Sequence, residues 1–77
     1  MSWNYRIMAH SENGETYYAV HEVFYTDKGK ICEWTEEPIE PIGHSKEDLL
    51  GVLENMLKDC KTQEVLDFNM EPEGSFD

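Results

Sequence analysis

The sequence predicts an α+β domain, in which a three- or four-stranded antiparallel sheet carries one helix on one face. Two turn signals, Asn13-Gly14 and Gly29, separate segments in which apolar and polar residues alternate. A later segment, residues 46–60, has apolar residues at helical spacing instead. With 77 residues the chain is long enough for one small domain. The expected order of elements is β-β-β-α-β.

The first two strands are predicted to form a hairpin. Strand one covers residues 3–10, and strand two returns over residues 16–25, because Asn-Gly supplies the two positive φ angles of a tight turn. A turn centred on Asn13-Gly14 fixes which residues lie opposite each other. The predicted pairs are Ala9 with Tyr18, Ile7 with Val20, Tyr5 with Glu22, and Trp3 with Phe24.

A third strand is predicted over residues 30–35, after a turn closed by a left-handed Gly29. This turn would place Cys32 beside Phe24 and Trp34 beside Glu22. One sheet face would then be apolar and lie under the helix: Trp3, Tyr5, Ile7, Ala9, Tyr18, Val20, Phe24, Cys32 and Trp34. The opposite face would be an exposed apolar patch suited to a homodimer contact: Met8, Tyr17, Ala19, Val23, Tyr25 and Ile31.

The helix is predicted to begin after Ser45, which forms a variant capping box with Asp48. Its apolar stripe toward the sheet consists of Leu49, Leu53, Met56 and Cys60, with Leu50 and Leu57 beside it. Gly51 weakens the helix and is expected to mark a close approach to the sheet.

The chain after the helix is predicted to add one short element. Residues 64–68 form a fourth strand or an extended segment that contributes to the core. Residues 69–77 are acidic and interrupted by Pro72 and Gly74, which predicts a disordered tail after a single domain of residues 1–68.

The strongest compositional feature is charge: 17 acidic against 6 basic side chains, a formal net charge of −11. Nucleic acids and anionic membranes repel such a surface, so neither is expected as a direct partner. Another protein is favoured as partner, a basic protein being one option, although the charge can also serve solubility alone. Two cysteines and no apolar leader or span predict a cytoplasmic protein.

Candidate chemical groups do not form a recognisable catalytic set. His21-Glu22 resembles the start of a metalloprotease motif, but the position that needs a second histidine is Tyr25. His21 is expected to point outward opposite Arg6, with Glu22 at the rim of the core. The histidines and cysteines lack the paired spacing of a metal site: His10, His21, His44, Cys32 and Cys60. No catalytic residue, cofactor or metal is therefore expected. The alternative is a small-ligand binder or enzyme using Glu22 and His21, with Tyr5.

The loop after the third strand is predicted to be the partner-binding surface. The two apolar side chains Trp34 and Ile39 would act as anchors among the carboxylates of Glu36, Glu37 and Glu40. These residues point to a non-enzymatic protein-interaction module. Two alternatives stay open: a loop that only covers the end of the core, and an acidic inhibitor of a basic nucleic-acid-binding protein.

Several segments carry a resemblance to known proteins: "WNYRI", "YAVHEVFYTDKGK", "WTEEPIEPIGHSKEDL", "LENMLKD" and "EVLDF". In this order they resemble a family of small bacterial proteins without an assigned activity, which implies a cytoplasmic bacterial setting and no catalytic residue. A weaker resemblance is to HicB-like antitoxin domains, whose helix start is matched by Gly43, Ser45, Glu47 and Asp48. That resemblance implies an antitoxin acting through protein contacts alone.

Overall fold

The computed structural model describes residues 1–74 and shows one mixed sheet with one helix. The elements are β1 (Ser2–Glu12), β2 (Glu15–Tyr25), β3 (Ile31–Trp34), α1 (Lys46–Thr62) and β4 (Leu66–Asp67). The sheet order is β3-β2-β1-β4, and β4 runs parallel to β1. The α+β class and the element order are therefore confirmed. The prediction of a wholly antiparallel sheet is wrong at β4, because the helix carries the chain back across the sheet before β4 enters.

The β1–β2 hairpin forms as predicted. Asn13 and Gly14 have positive φ angles of 51° and 79°. These are the two left-handed residues that a tight two-residue hairpin turn requires. All four predicted pairs are present, from Ala9 opposite Tyr18 to Trp3 opposite Phe24. The turn chemistry therefore determines the register of the two longest strands.

The third strand is shifted by a β-bulge. Val23 pairs with Trp34 and Tyr25 pairs with Ile31, with an irregularity between Phe24 and Tyr25. The extra residue in β3 moves Trp34 from its predicted place beside Glu22 to the opposite face of the sheet, since side chains alternate along a strand. The prediction for Trp34 is wrong for this reason.

The best-buried sheet face is the one predicted to be exposed. Met8 and Val23 have no exposed surface, and Ile31 is 6% exposed. On the face predicted to lie under the helix, Trp3 and Tyr18 remain 50% and 65% exposed. Three members of the apolar patch predicted for a homodimer, Met8, Val23 and Ile31, are thus interior, because a later part of the same chain covers them, whereas Tyr17 stays 45% exposed.

That covering segment consists of residues 66–74, here called the C-terminal strap. Its side chains of Leu66, Phe68 and Met70 pack against the buried cluster of the sheet. The backbone N–H groups of Glu73 and Gly74 donate to the Ile31 carbonyl at 2.7 and 3.1 Å. Residues 69–74, predicted to be a disordered tail, are therefore held against β3. Residues 75–77 of that predicted tail lie outside the described residues.

Helix α1 begins with the predicted cap. Ser45 Oγ accepts a hydrogen bond from Asp48 N at 3.0 Å, and Asp48 Oδ2 accepts one from His44 N at 2.9 Å. The helix packs against β1, where Asp59 Oδ2 accepts a hydrogen bond from the Tyr5 N–H. Within residues 1–74 no helix is long and apolar enough to cross a membrane.

The helix is rotated relative to the prediction. Its packed side consists of Leu49, Val52, Met56 and Cys60. Leu53, predicted to face the sheet, is 41% exposed. It lies with Leu50 and Leu57 on the side of the helix that faces away from the sheet. Both sides of the helix carry leucines, so their spacing alone does not identify the packed side.

Gly51 offers a stabilising substitution. A Cβ built on Gly51 meets no atom within 4 Å, so the predicted close approach to the sheet is wrong. We expect Gly51→Ala to raise the free energy of unfolding by about 0.5–1 kcal/mol, because alanine loses less backbone entropy in a helix. Urea unfolding measures this. Gly29→Ala is the contrasting variant, since Gly29 has a φ of 81° and alanine there is destabilising.

Candidate functional site

Of the two predicted loop anchors, the structure packs Trp34 on the core and leaves Ile39 half-buried. Trp34 packs against the buried cluster of Met8, Val23 and Ile31. Ile39 is half-buried, and its N–H donates to the Val20 carbonyl at 2.9 Å, so the loop continues along the edge of β2. What remains exposed is the acidic part of the predicted surface: Glu36, Glu37 and Glu40.

The residues of the predicted ligand site are divided between two faces. His21 and Glu22 are neighbours in β2, so their side chains point to opposite sides of the sheet. Glu22 is half-buried opposite Tyr5. Burial raises the pKa of the Tyr5 hydroxyl, and the nearby charges of Glu22 and Asp59 raise it further. The structure therefore brings Glu22 and Tyr5 together but separates His21 from both.

A buried histidine pair forms the most unusual polar contact in the fold. His21 is fully buried and His10 is 7% exposed, although His21 was predicted to point outward. Their Nε2 atoms lie 2.8 Å apart, at hydrogen-bond distance. The outward prediction is wrong because the strap and the start of the loop cover this face.

The neighbours of the pair determine its tautomers. His21 Nδ1 lies 2.9 Å from the Thr35 carbonyl oxygen, which can only accept, so His21 Nδ1 carries a proton. In a neutral His21 the Nε2 atom is then an acceptor. His10 must donate from its own Nε2 to complete the 2.8 Å contact. With both rings neutral, this one arrangement satisfies the contacts described.

The surroundings favour the neutral form of His21. Burial lowers the pKa of His21, and the charge of a protonated His10 would lower it further. The hydrogen bond to Thr35 and the carboxylate of Glu37 act in the opposite direction. Because burial is the largest of these effects, the fold disfavours protonation of this ring.

A second polar group is buried on the same face. Arg6 is 8% exposed; its Nη2 donates to the Glu64 carbonyl at 2.7 Å and its Nη1 to the Tyr25 hydroxyl at 3.2 Å. That hydroxyl donates to Asn4 Oδ1 at 2.8 Å. The Arg6 Nε atom has no hydrogen-bond partner within residues 1–74. Arg6 therefore ties β1 to the chain just before β4, through uncharged oxygens.

The residues considered for a metal site do not converge. Cys32 is buried and its thiol donates to the Phe24 carbonyl at 3.4 Å. Burial raises the pKa of the Cys60 thiol, and the neighbouring Asp59 raises it further, which keeps it protonated. In the part of the chain that the structure describes, no three histidine, cysteine or acidic side chains are placed to hold a metal ion.

The outer side of α1 is the second candidate site. Leu50, Leu53 and Leu57 are 47%, 41% and 61% exposed, and their spacing puts them on one line along the helix. We call these three residues the leucine stripe. Next to Leu57 lies a shallow depression of about 350 Å³, lined also by Glu54, Lys58, Lys61 and Thr62. The stripe and the depression form one continuous side of the helix.

The buried histidine pair and the leucine stripe were not predicted from the sequence. His10, Met8 and Arg6 alternate in β1 with the more apolar Tyr5, Ile7 and Ala9, so the sequence favoured the other face as the interior. No family model, curated protein or solved structure matches the chain. The two resemblances noted above therefore stay expectations, and the function is inferred from the residues of this chain.

Proposed function

We propose that this protein is a non-enzymatic protein-interaction module whose docking surface is the leucine stripe of α1. The observation that supports this proposal is the exposure of three leucines in line on a well-capped helix. Isolated exposed leucines are common, but anchors at i, i+3 and i+7 are the pattern by which a helix enters an apolar groove. The partner we propose is a protein with such a groove.

The helix is much less acidic than the rest of the chain, which favours its contact with a partner protein. Lys46, Lys58 and Lys61 are three of the six basic residues of the protein, and α1 carries only four acidic ones. The helix is thus almost neutral in a chain of net charge −11. A partner can approach the stripe without the repulsion that an acidic surface would impose on another acidic protein.

The acidic loop contributes in a different way from the one predicted. Glu36, Glu37 and Glu40 are exposed, whereas Trp34 and Ile39 are engaged within the fold. We propose that these carboxylates attract a basic region of the partner over a distance, which accelerates association more than it tightens the complex. Added salt would then slow association while the contact at the stripe persists.

The proposal predicts a selective loss of binding. We expect the double variant Leu53→Glu, Leu57→Glu to reduce recovery of the partner by about tenfold or more, because charged groups would enter an apolar groove. The measurement is quantitative mass spectrometry of proteins captured by the tagged chain from its host. Val65→Glu is the matched control, because Val65 is a 50% exposed apolar residue outside the helix.

Two results would contradict the proposal. Equal recovery with the double variant and with the control would exclude the leucine stripe as the docking surface. Loss of a basic partner only on changing Glu36, Glu37 and Glu40 to glutamine would favour the acidic inhibitor of a nucleic-acid-binding protein. Circular dichroism of each variant checks that the exposed substitutions leave the fold intact.

A further inference from the structure

We propose that the His10–His21 pair is a proton-operated latch that holds the C-terminal strap on the sheet and releases it when both rings become protonated. Two buried rings face each other through Nε2 atoms 2.8 Å apart, and the strap packs directly on them.

The pair accepts one additional proton without losing its contact. In the neutral pair His10 Nε2 donates to His21 Nε2, and a proton added to His10 Nδ1 leaves that bond in place with a charged donor. A second proton would have to go to His21 Nε2. Two N–H groups would then point at each other across 2.8 Å, and two positive charges would be buried together. The doubly protonated pair must separate.

Separation of the rings acts directly on the strap. His10 lies between two aromatic rings, with centroid distances of 4.7 Å to Tyr17 and 4.2 Å to Phe68. Phe68 also contacts His21, with ring centroids 5.3 Å apart. The Phe68 N–H donates to the Ala9 carbonyl at 3.0 Å, next to His10 in the chain. Movement of the rings therefore removes the packing partner of Phe68 and strains the backbone bond that holds it.

The charged groups around the pair come from each neighbouring element. Arg6 lies on β1 directly opposite His21, and as a permanent cation it opposes added positive charge. Glu37 in the loop favours protonation of His21, and the ring of Tyr17 from β2 stacks on His10. Burial is the largest influence on the pKa of His21 and outweighs the hydrogen bond to Thr35 and the carboxylate of Glu37, so the latch is closed at neutral pH.

The direction of the pH effect follows from linkage. The fold lowers the pKa of His21 below its ordinary 6.5, so the folded protein binds fewer protons than the unfolded chain between these values. The stabilisation from the neutral ring is complete above about pH 6.5 and is lost as the pH falls through this range. The strap, held by few contacts, opens before the β1–β2 hairpin.

The test is hydrogen exchange of the strap followed by NMR. We expect the protection factors of the Phe68, Met70 and Gly74 amides to fall about tenfold from about pH 7.5 to about pH 5.5, after correction for intrinsic exchange. Amides in the middle of the β1–β2 hairpin should keep their protection. His44→Gln should behave like the wild type, because His44 is exposed and outside the pair.

A His10 variant and the ¹⁵N shifts of the imidazole rings test the latch independently of hydrogen exchange in the wild type. His10→Gln keeps a donor for a neutral His21, and its amide oxygen can accept from a protonated His21 Nε2, so two donors never face each other and the pH response of the strap should weaken. Imidazole ¹⁵N shifts of the wild type should show at most one added proton per pair while the strap is protected. Two protonated rings under a protected strap, or unchanged strap protection down to about pH 5.5, would overturn the proposal without any variant.

Discussion

Met8→Ala is expected to destabilise the protein by about 2–5 kcal/mol, the range for truncating a buried methionine. Met8 has no exposed surface and packs in the cluster with Val23 and Ile31 under the strap. A domain of this size has a total stability of roughly 4–12 kcal/mol. The substitution therefore removes a large share of the free energy of unfolding. Urea unfolding by circular dichroism measures the change.

The same experiment distinguishes between the two possible interior faces. If Met8 were on an exposed face, as the sequence predicts, the loss would stay within about 0.5 kcal/mol. Leu50→Ala is the comparison, because Leu50 is a large apolar residue that is 47% exposed. A Met8 variant as stable as the Leu50 variant would contradict the buried face described above.

Trp34→Ala is expected to cost about 2–4 kcal/mol of stability, somewhat less than the ~3–5 kcal/mol for a fully buried aromatic residue, because Trp34 is half-buried. The bulge in β3 places Trp34 opposite Val23, where its ring packs on the core. Truncation leaves a cavity beside Val23. Thermal and urea unfolding give the loss, and Trp34→Phe should recover part of it.

The chain contains a matched control for this substitution. Trp3 is the other tryptophan of the protein and is 50% exposed. Trp3→Ala should cost clearly less stability than Trp34→Ala. A stable Trp34→Ala protein that had lost its partner would instead make Trp34 a binding anchor, as the sequence suggests, and would contradict its place in the core.

The turns were predictable because their signals are local. Asn13-Gly14 and Gly29 demand positive φ angles, and Ser45 with Asp48 caps the helix within four residues. These signals determine the hairpin register and the helix start. The bulge in β3 has no comparable local signal, and it moved Trp34 to the other face of the sheet.

The choice of interior face depended on distant residues. Arg6 and His10 look like surface residues in the sequence of β1, whereas their partners come from other parts of the chain. Arg6 donates to the Glu64 carbonyl, 58 residues away, and His10 contacts His21 and Phe68. Polar residues can occupy a core once such partners exist, and only the folded structure brings them together.

The leucine stripe of α1 and the acidic loop were only partly predictable from the sequence. Six of the seven apolar positions of α1 were recognised, all but Val52. Two leucine-bearing sides were available, however, and the helix is rotated toward Val52 and Met56. This rotation leaves the leucine stripe outside. The acidic loop was identified by composition, yet Trp34 packs on the core and Ile39 is half-buried, with its N–H bonded to β2.

The central functional claim is that the partner contacts α1 and not the loop. Site-specific photocrosslinking in the host tests it most directly, with a benzophenone amino acid in place of Leu53 in one strain and of Glu37 in another. Both positions are exposed, so both tolerate the probe. We expect a crosslinked partner from position 53 and much less from position 37. A crosslink from position 37 alone would contradict it.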